Sequence, residues 1–132
     1  MYLLDTNACI VYLRYPDSNL RLRLASVSPQ EVVVCSIVKA ELFYGALRSR
    51  QPDRNLALQQ EFLNQFQSLP FDDTAAMFFG RIRSQLTALG TPIGPYDLQI
   101  AAIALAHNCA LVTHNVREFD RVDGLRVENW QL

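Results

Sequence analysis

Three acidic residues stand where the surrounding sequence gives an acid no ordinary role. Asp5 directly follows the apolar run Tyr2-Leu3-Leu4. Asp97 lies in Gly94-Pro95-Tyr96-Asp97-Leu98-Gln99-Ile100-Ala101-Ala102, at the head of a stretch almost wholly apolar through Leu105. Glu41 is set among Val38, Ala40, Leu42 and Phe43. Each has a plain reading: Asp5 as a helix cap, Asp97 as a partner of a helix dipole, Glu41 as the wet face of an amphipathic helix. Taken together they suggest chemistry. Carboxylates gathered in one place repel one another, so either their pKa values rise or a cation neutralises them. An oxygen donor set without a Cys/His cluster suits Mg²⁺, with Mn²⁺ as a substitute. Mg²⁺ on one or two carboxylates keeps waters, takes up phosphate oxygens and activates a water for in-line attack. That is the chemistry of phosphodiester hydrolysis.

The elements that must position these acids alternate between strand and helix. Tyr2-Leu3-Leu4 reads as a strand, and Thr6 or Asn7 as the cap of a helix to about Leu13. Pro16-Asp17-Ser18 is a turn, and residues 20–24 form a short helix with Ser18 as its cap. Val32-Val33-Val34-Cys35 is a β-branched run of the kind found in buried parallel strands. Ser36 then caps a helix over 37–48, and a further helix is expected over 55–69, with a minor strand at Pro70-Phe71. A long helix runs from Asp72 to Leu89 and stops at Gly90. Pro95 suits the first turn of the helix that carries Asp97 and runs to Asn108. Cys109 to Thr113 is a strand, a turn of helix follows near 117–119, and Arg126-Val127 is a last edge strand. The expected fold class is α/β, three layers with a mostly parallel central sheet and right-handed crossovers. Ligands of such sheets bind beyond the carboxyl ends of the strands. Asp5 and Asn115 each lie just past such an end, and Glu41 and Asp97 lie on helices adjoining strands, so all four can converge on one edge.

Composition sets the bounds. The 132 residues, half of them hydrophobic, suffice for one domain over 1–132 with a real core. The net charge of -1 names no partner. Eleven of the twelve basic residues are Arg, a weak lean toward phosphate or an acidic partner. Cys9, Cys35 and Cys109 are odd in number and lie in apolar runs, as expected of buried thiols in a reducing compartment. No signal-peptide pattern opens the chain and no apolar run reaches membrane-spanning length, so a cytoplasmic protein without a membrane partner is expected.

Four stretches resemble, in order, the motifs of PIN-domain ribonucleases: Leu3-Leu4-Asp5-Thr6-Asn7, Ala40-Glu41-Leu42-Phe43-Tyr44-Gly45, Gly94 to Ala102, and Thr113-His114-Asn115-Val116-Arg117-Glu118-Phe119. Within that family the chain looks most like the VapC-type toxins of bacterial toxin–antitoxin pairs. The resemblance covers nearly the whole chain. It implies a Mg²⁺-dependent endoribonuclease with a three-layer α/β/α fold, a metal site of Asp5, Glu41 and Asp97, a homodimer, and a tight complex with a VapB-like antitoxin. Thr113 and Asn115 match the fourth motif. Many members carry Asp where this chain has Asn115, which can ligate through its carbonyl or hold a water but adds no charge. Glu118 and Asp120 are nearby substitutes.

Two other function classes compete. Phosphotransfer by an Asp5 nucleophile, as in haloacid-dehalogenase-like phosphatases, needs a second Asp two residues on, where Asn7 stands. A non-catalytic RNA-binding PIN domain is the alternative that Asn115 favours and intact Asp5, Glu41 and Asp97 oppose. His107 and His114 raise a metal-free route with a His base, although His107 suits a helix end and His114 a loop beside the site. Arg14, Arg48, Arg50, Arg54, Arg81 and Arg83 fit an RNA path or a solvated helix face. Tyr44, Tyr96 and Trp130 read as packed rather than as base-stacking residues.

Overall fold

Short β-branched and leucine-rich runs supply the three central strands, which are too apolar for solvent on either face, while the two edge strands are more polar. The computed structural model describes residues 1–132. Five strands, β1 (Tyr2–Leu4), β2 (Val32–Cys35), β3 (Gln67–Leu69), β4 (Ala110–Val112) and β5 (Val127–Glu128), form one sheet in the order β3-β2-β1-β4-β5. Every pairing is parallel, so the sheet is wholly rather than mostly parallel. All residues of β2 and β4 are buried, as parallel strands covered on both faces require.

Seven helices connect the strands: α1 (Thr6–Arg14), α2 (Asn19–Ala25), α3 (Ser36–Leu47), α4 (Pro52–Leu63), α5 (Asp73–Ala88), α6 (Pro95–Ala106) and α7 (Val116–Phe119). A 3-10 turn, Pro29–Glu31, leads into β2. Helix α1 packs on α2 and α3, α3 packs on α4, and α5 packs on α6. The chain moves outward one way from β1 through β2 to β3, then crosses back to β4 on the other side of β1. Right-handed crossovers in opposite directions place their helices on opposite faces, which gives the three layers. The reversal falls between β1 and β4, and the crevice of an open α/β sheet lies at such a switch point.

Helix α6 is the most deeply set. Leu98, Ile100, Ala101, Ala102, Ile103 and Ala104 are all buried, and its four alanines let neighbouring backbones approach closely. Gly90 adopts φ 71° and ends α5, where the Thr91 N–H bonds the Leu86 carbonyl at 3.0 Å. Trp130 is buried with its ring edge-on to Tyr2 at 5.1 Å, an anchor for the last strand as its type suggested.

Several boundaries differ from the sequence reading. The helix expected over 55–69 is α4, which starts at Pro52 and stops at Leu63. Residues 67–69 belong to β3, so the edge strand precedes Pro70-Phe71. The apolar residues Phe62, Leu63, Phe66 and Leu69 serve both elements in turn, and the change of period between them is hard to see over so few residues. Asp5, not Thr6 or Asn7, caps α1, and Cys35, not Ser36, occupies the cap position of α3. Tyr44 and Tyr96 are exposed rather than packed.

Candidate active site

The strand ends bring the motif residues together. Leu4 closes β1, and the Asp5 N–H extends the ladder to the Val112 carbonyl of β4 at 3.1 Å. Asp5 is therefore fixed at the switch point, 5% exposed. One of its carboxylate oxygens accepts the Ala8 N–H at 2.8 Å, so the helix-cap reading is correct. Capping does not explain the burial. A cap on a surface helix sits in water, whereas this carboxylate lies in the crevice and its pKa is pushed up to about 6. Burial is the main cause, and Glu41 raises it further. Hydrogen bonds from Thr113 and the Ala8 N–H, and the nearness of His114, act the other way.

Asp97 occupies the first turn of α6 and makes no cap hydrogen bond. A carboxylate beside a helix N-terminus is ordinarily favoured in its charged form. Here its pKa is instead raised to about 6, first by burial and then by the negative charges of Glu118, Asp5 and Glu41. The dipole reading alone thus fails for Asp97. Glu41 stands on α3, where its Oε1 accepts the Thr6 hydroxyl at 2.7 Å. Thr6 was read only as a cap; its neighbour position in Leu4-Asp5-Thr6-Asn7 was the available signal that it faces the same crevice.

The fourth motif leaves β4 at Thr113, which is buried. Its hydroxyl faces Asp5 and accepts the Asn115 N–H at 3.0 Å, tying the loop to the acidic centre. The Asn115 amide donates to the Glu118 carboxylate. Glu118 in turn raises Asp97. Asn115 and Glu118 are thus joined in one motif, and Glu118 supplies the charge that Asn115 lacks. His114 is exposed, with Nδ1 at 3.5 Å from the Asn129 amide. His107 ends α6, and Asp120 ends α7. All three cysteines are free and buried.

The donors in this crevice are the hard oxygens of Asp5, Glu41, Asp97 and Glu118 with the Asn115 amide. The single ion pair in the structure joins Arg23 and Glu128, so no Arg or Lys neutralises the four acids. Two carboxylates held near 6 by burial and mutual repulsion are the signature of negative charge awaiting a cation. No three His, Cys, Asp or Glu side chains stand close enough together to hold a metal ion as a set. Mg²⁺ does not need such a set, because it keeps several waters and uses one or two carboxylates. The residues therefore fit a Mg²⁺- or Mn²⁺-type ion.

A groove of about 460 Å³ adjoins the crevice, lined by α1 to α4 and reaching Glu41 at one end. Ile10, Leu13, Leu42 and Phe62 form its apolar part. No helix of the chain is long and apolar enough to cross a membrane.

Comparison with known proteins agrees with this fold. The PIN domain family model matches residues 2–125. The tRNA(fMet)-specific endonuclease VapC of Salmonella typhimurium is 40% identical over 129 residues, 98% of this chain and 97% of that protein. Ribonuclease VapC2 of Haemophilus influenzae is 39% identical with the same coverage. Among solved structures, a DNA-bound VapBC from Salmonella typhimurium superposes with a TM-score of 0.92 at 40% identity, covering 98% of this chain and 97% of that one. FitAcB from Neisseria gonorrhoeae superposes with a TM-score of 0.89 at 31% identity over the full length of both. The chain belongs to the PIN domain family and, within it, to the VapC ribonucleases.

Proposed function

We propose that this protein is a metal-dependent endoribonuclease, the toxin of a toxin–antitoxin pair, acting as a single PIN domain over 1–132. The observation that carries the reading is the pair Asp5 and Asp97, both raised to about 6 and electrostatically joined to Glu41. An RNA-binding module without catalysis has no use for uncompensated buried acids, which weaken RNA binding by repelling phosphate. Family membership makes RNA the substrate class. The name of the Salmonella relative points to initiator tRNA as the first RNA to try.

Asp5, Glu41 and Asp97 would hold the ion, with Glu118 adding charge and Asn115 an oxygen donor. A Mg²⁺ or Mn²⁺ held there would supply an activated water and would offset the negative charge on the phosphate and leaving oxygens. The chain's own part is orientation. The Ala8 N–H and the Thr113 hydroxyl fix the Asp5 carboxylate, and the Thr6 hydroxyl fixes Glu41. Rigid strand ends hold these groups at small tolerance, which is where positioning contributes most to rate.

Regulation follows from the groove. Relatives of known structure occur as VapBC and FitAB assemblies, including toxin–antitoxin complexes bound to DNA. A VapB-like antitoxin would dock along Ile10 and Leu13, which line the groove near the acidic crevice, with Leu42 rather than the expected Phe43 beside them, and an antitoxin Arg reaching the carboxylates would compete with the metal. A homodimer in the cytoplasm completes the proposal.

Substitution of Asp97 tests it. Asp97→Asn removes a carboxylate that makes no structural hydrogen bond, so the fold should persist while RNA cleavage and growth arrest on expression are lost. Normal cleavage by a variant with wild-type circular dichroism would sink the site assignment.

A further inference from the structure

Two cations line the groove, Arg14 and Arg21, and neither has a counter-charge, but only Arg21 is held in a fixed direction. Arg21, on α2, is half-buried. Its Nε donates to the Tyr12 carbonyl at 2.7 Å, and its guanidinium lies over the Tyr12 ring, 4.1 Å from the centroid. Tyr12 is backed by Phe62, stacked at 4.2 Å, and Phe62 by Phe66. The guanidinium is thus fixed in plane and in direction by a rigid aromatic stack. Bonding the Tyr12 carbonyl caps the end of α1, and Nε alone accomplishes it. The two Nη groups have no acceptor in the protein, and no carboxylate lies within ion-pair distance. Both Arg21 and Glu41 line the same groove.

One helix positions both the acid and the cation. Thr6, which holds Glu41, and Tyr12, which holds Arg21, are on one helix, about 9 Å apart along its axis. A strand whose scissile phosphate sits among Asp5, Glu41, Asp97 and Glu118 must run its other phosphates past four acids. Repulsion between those phosphates and the acids opposes binding, and a fixed cation further along the groove offsets it. A planar fork with free donors binds phosphate in two-pronged fashion, which a flexible surface Arg does only at an entropic cost.

We propose that Arg21 is a phosphate-binding residue for the RNA substrate, gripping a backbone phosphate other than the one cleaved. The proposal rests on the ribonuclease reading above. Arg14 lies in the same groove and adds positive potential at its far end. The rival anion is a carboxylate of a docked protein segment. Glu41 and Glu61 repel either anion, but the phosphates of an RNA strand recur along its whole path, so one can reach the guanidinium without a dedicated acidic residue on a partner.

The test compares wild type, Arg21→Gln and Arg21→Lys. Cleavage of initiator tRNA gives KM and kcat, and anisotropy of the labelled tRNA across a KCl series in EDTA gives binding. Arg21→Gln should raise KM about ten-fold, the worth of a charge-assisted contact, with kcat nearly unchanged. Its plot of log affinity against log salt should be shallower by about 0.7 to 0.9, one phosphate contact fewer. Arg21→Lys keeps the charge and loses the fork, so it should keep the wild-type salt slope with a smaller rise in KM. It also serves if the Gln variant folds poorly. A merely structural Arg21 would lower the melting temperature without moving the salt slope, and that result overturns the proposal. So does weakened binding of the coexpressed antitoxin with KM and slope unchanged, which would give the guanidinium to a protein carboxylate. Wild-type protein that neither binds nor cleaves RNA would remove the ribonuclease reading itself.

Discussion

The acidic crevice should make the metal-free protein less stable than it could be, and the cost can be worked out for Asp5. Its carboxyl moves from an ordinary 3.8 to about 6 on folding. A rise of that size corresponds to about 3 kcal/mol less stability once the group is ionised. The sign follows from proton counting. Between about pH 4 and 6 the native state holds the Asp5 proton and the unfolded chain has lost it, so stability falls as pH rises through that window. Below it the effect is absent, and above it the full cost applies. Asp97 adds a smaller contribution of the same sign, since it is only partly buried and solvent screens it.

Asp5→Asn isolates the effect. The amide oxygen can still accept the Ala8 N–H, so the cap is kept while the charge is removed. In EDTA at pH 7.5, urea denaturation should find the variant more stable than wild type by about 2 to 3 kcal/mol. The gap should close near pH 4. Saturating Mg²⁺ should reverse the order, because only the wild type gains stability from binding. Equal stabilities at pH 7.5, or a gap that widens on acidification, would refute the electrostatic account of the crevice.

Two further substitutions probe the fourth motif. Glu118→Gln should weaken metal affinity, measured by calorimetry with Mn²⁺, more than Asn115→Ala, because it removes a charge that acts on Asp97. Glu118→Gln should also bring the Asp97 pKa down toward its ordinary value, visible by carboxyl NMR titration of the metal-free protein. His114→Ala should retain most cleavage activity at neutral pH in a steady-state assay, since the His114 ring is exposed at the rim and is assigned no step in the reaction.

Much of this was legible in the residues themselves. β2 and β4 announce themselves as four- and three-residue apolar runs, and strict alternation with helices fixes a parallel sheet. Asp5, Asp97 and Glu41 stood out because each is an acid in apolar company. The strand β3 was not legible. Gln67-Ser68-Leu69 has one apolar residue, and its place at the sheet edge is decided by pairing with β2. The exposure of Tyr44 and Tyr96 was also hidden, because helical periodicity cannot tell which apolar face a neighbouring helix covers. The role of Thr6 required the crevice itself. A hydroxyl next to Asp5 reads as a cap until α3 brings Glu41 within 2.7 Å.

The central claim is that the acids act through a bound divalent ion. The measurement that tests it most directly is the end chemistry of the cleaved RNA with and without metal. Water activated at Asp5, Glu41 and Asp97 leaves a 5′ phosphate on the downstream fragment, and the ribose 2′-OH takes no part. Cleavage of initiator tRNA should therefore stop in EDTA, return with Mg²⁺ or Mn²⁺, and give 5′-phosphate ends by ligation or mass spectrometry. Cleavage that continues in EDTA and leaves cyclic phosphate with 5′-hydroxyl ends would contradict it.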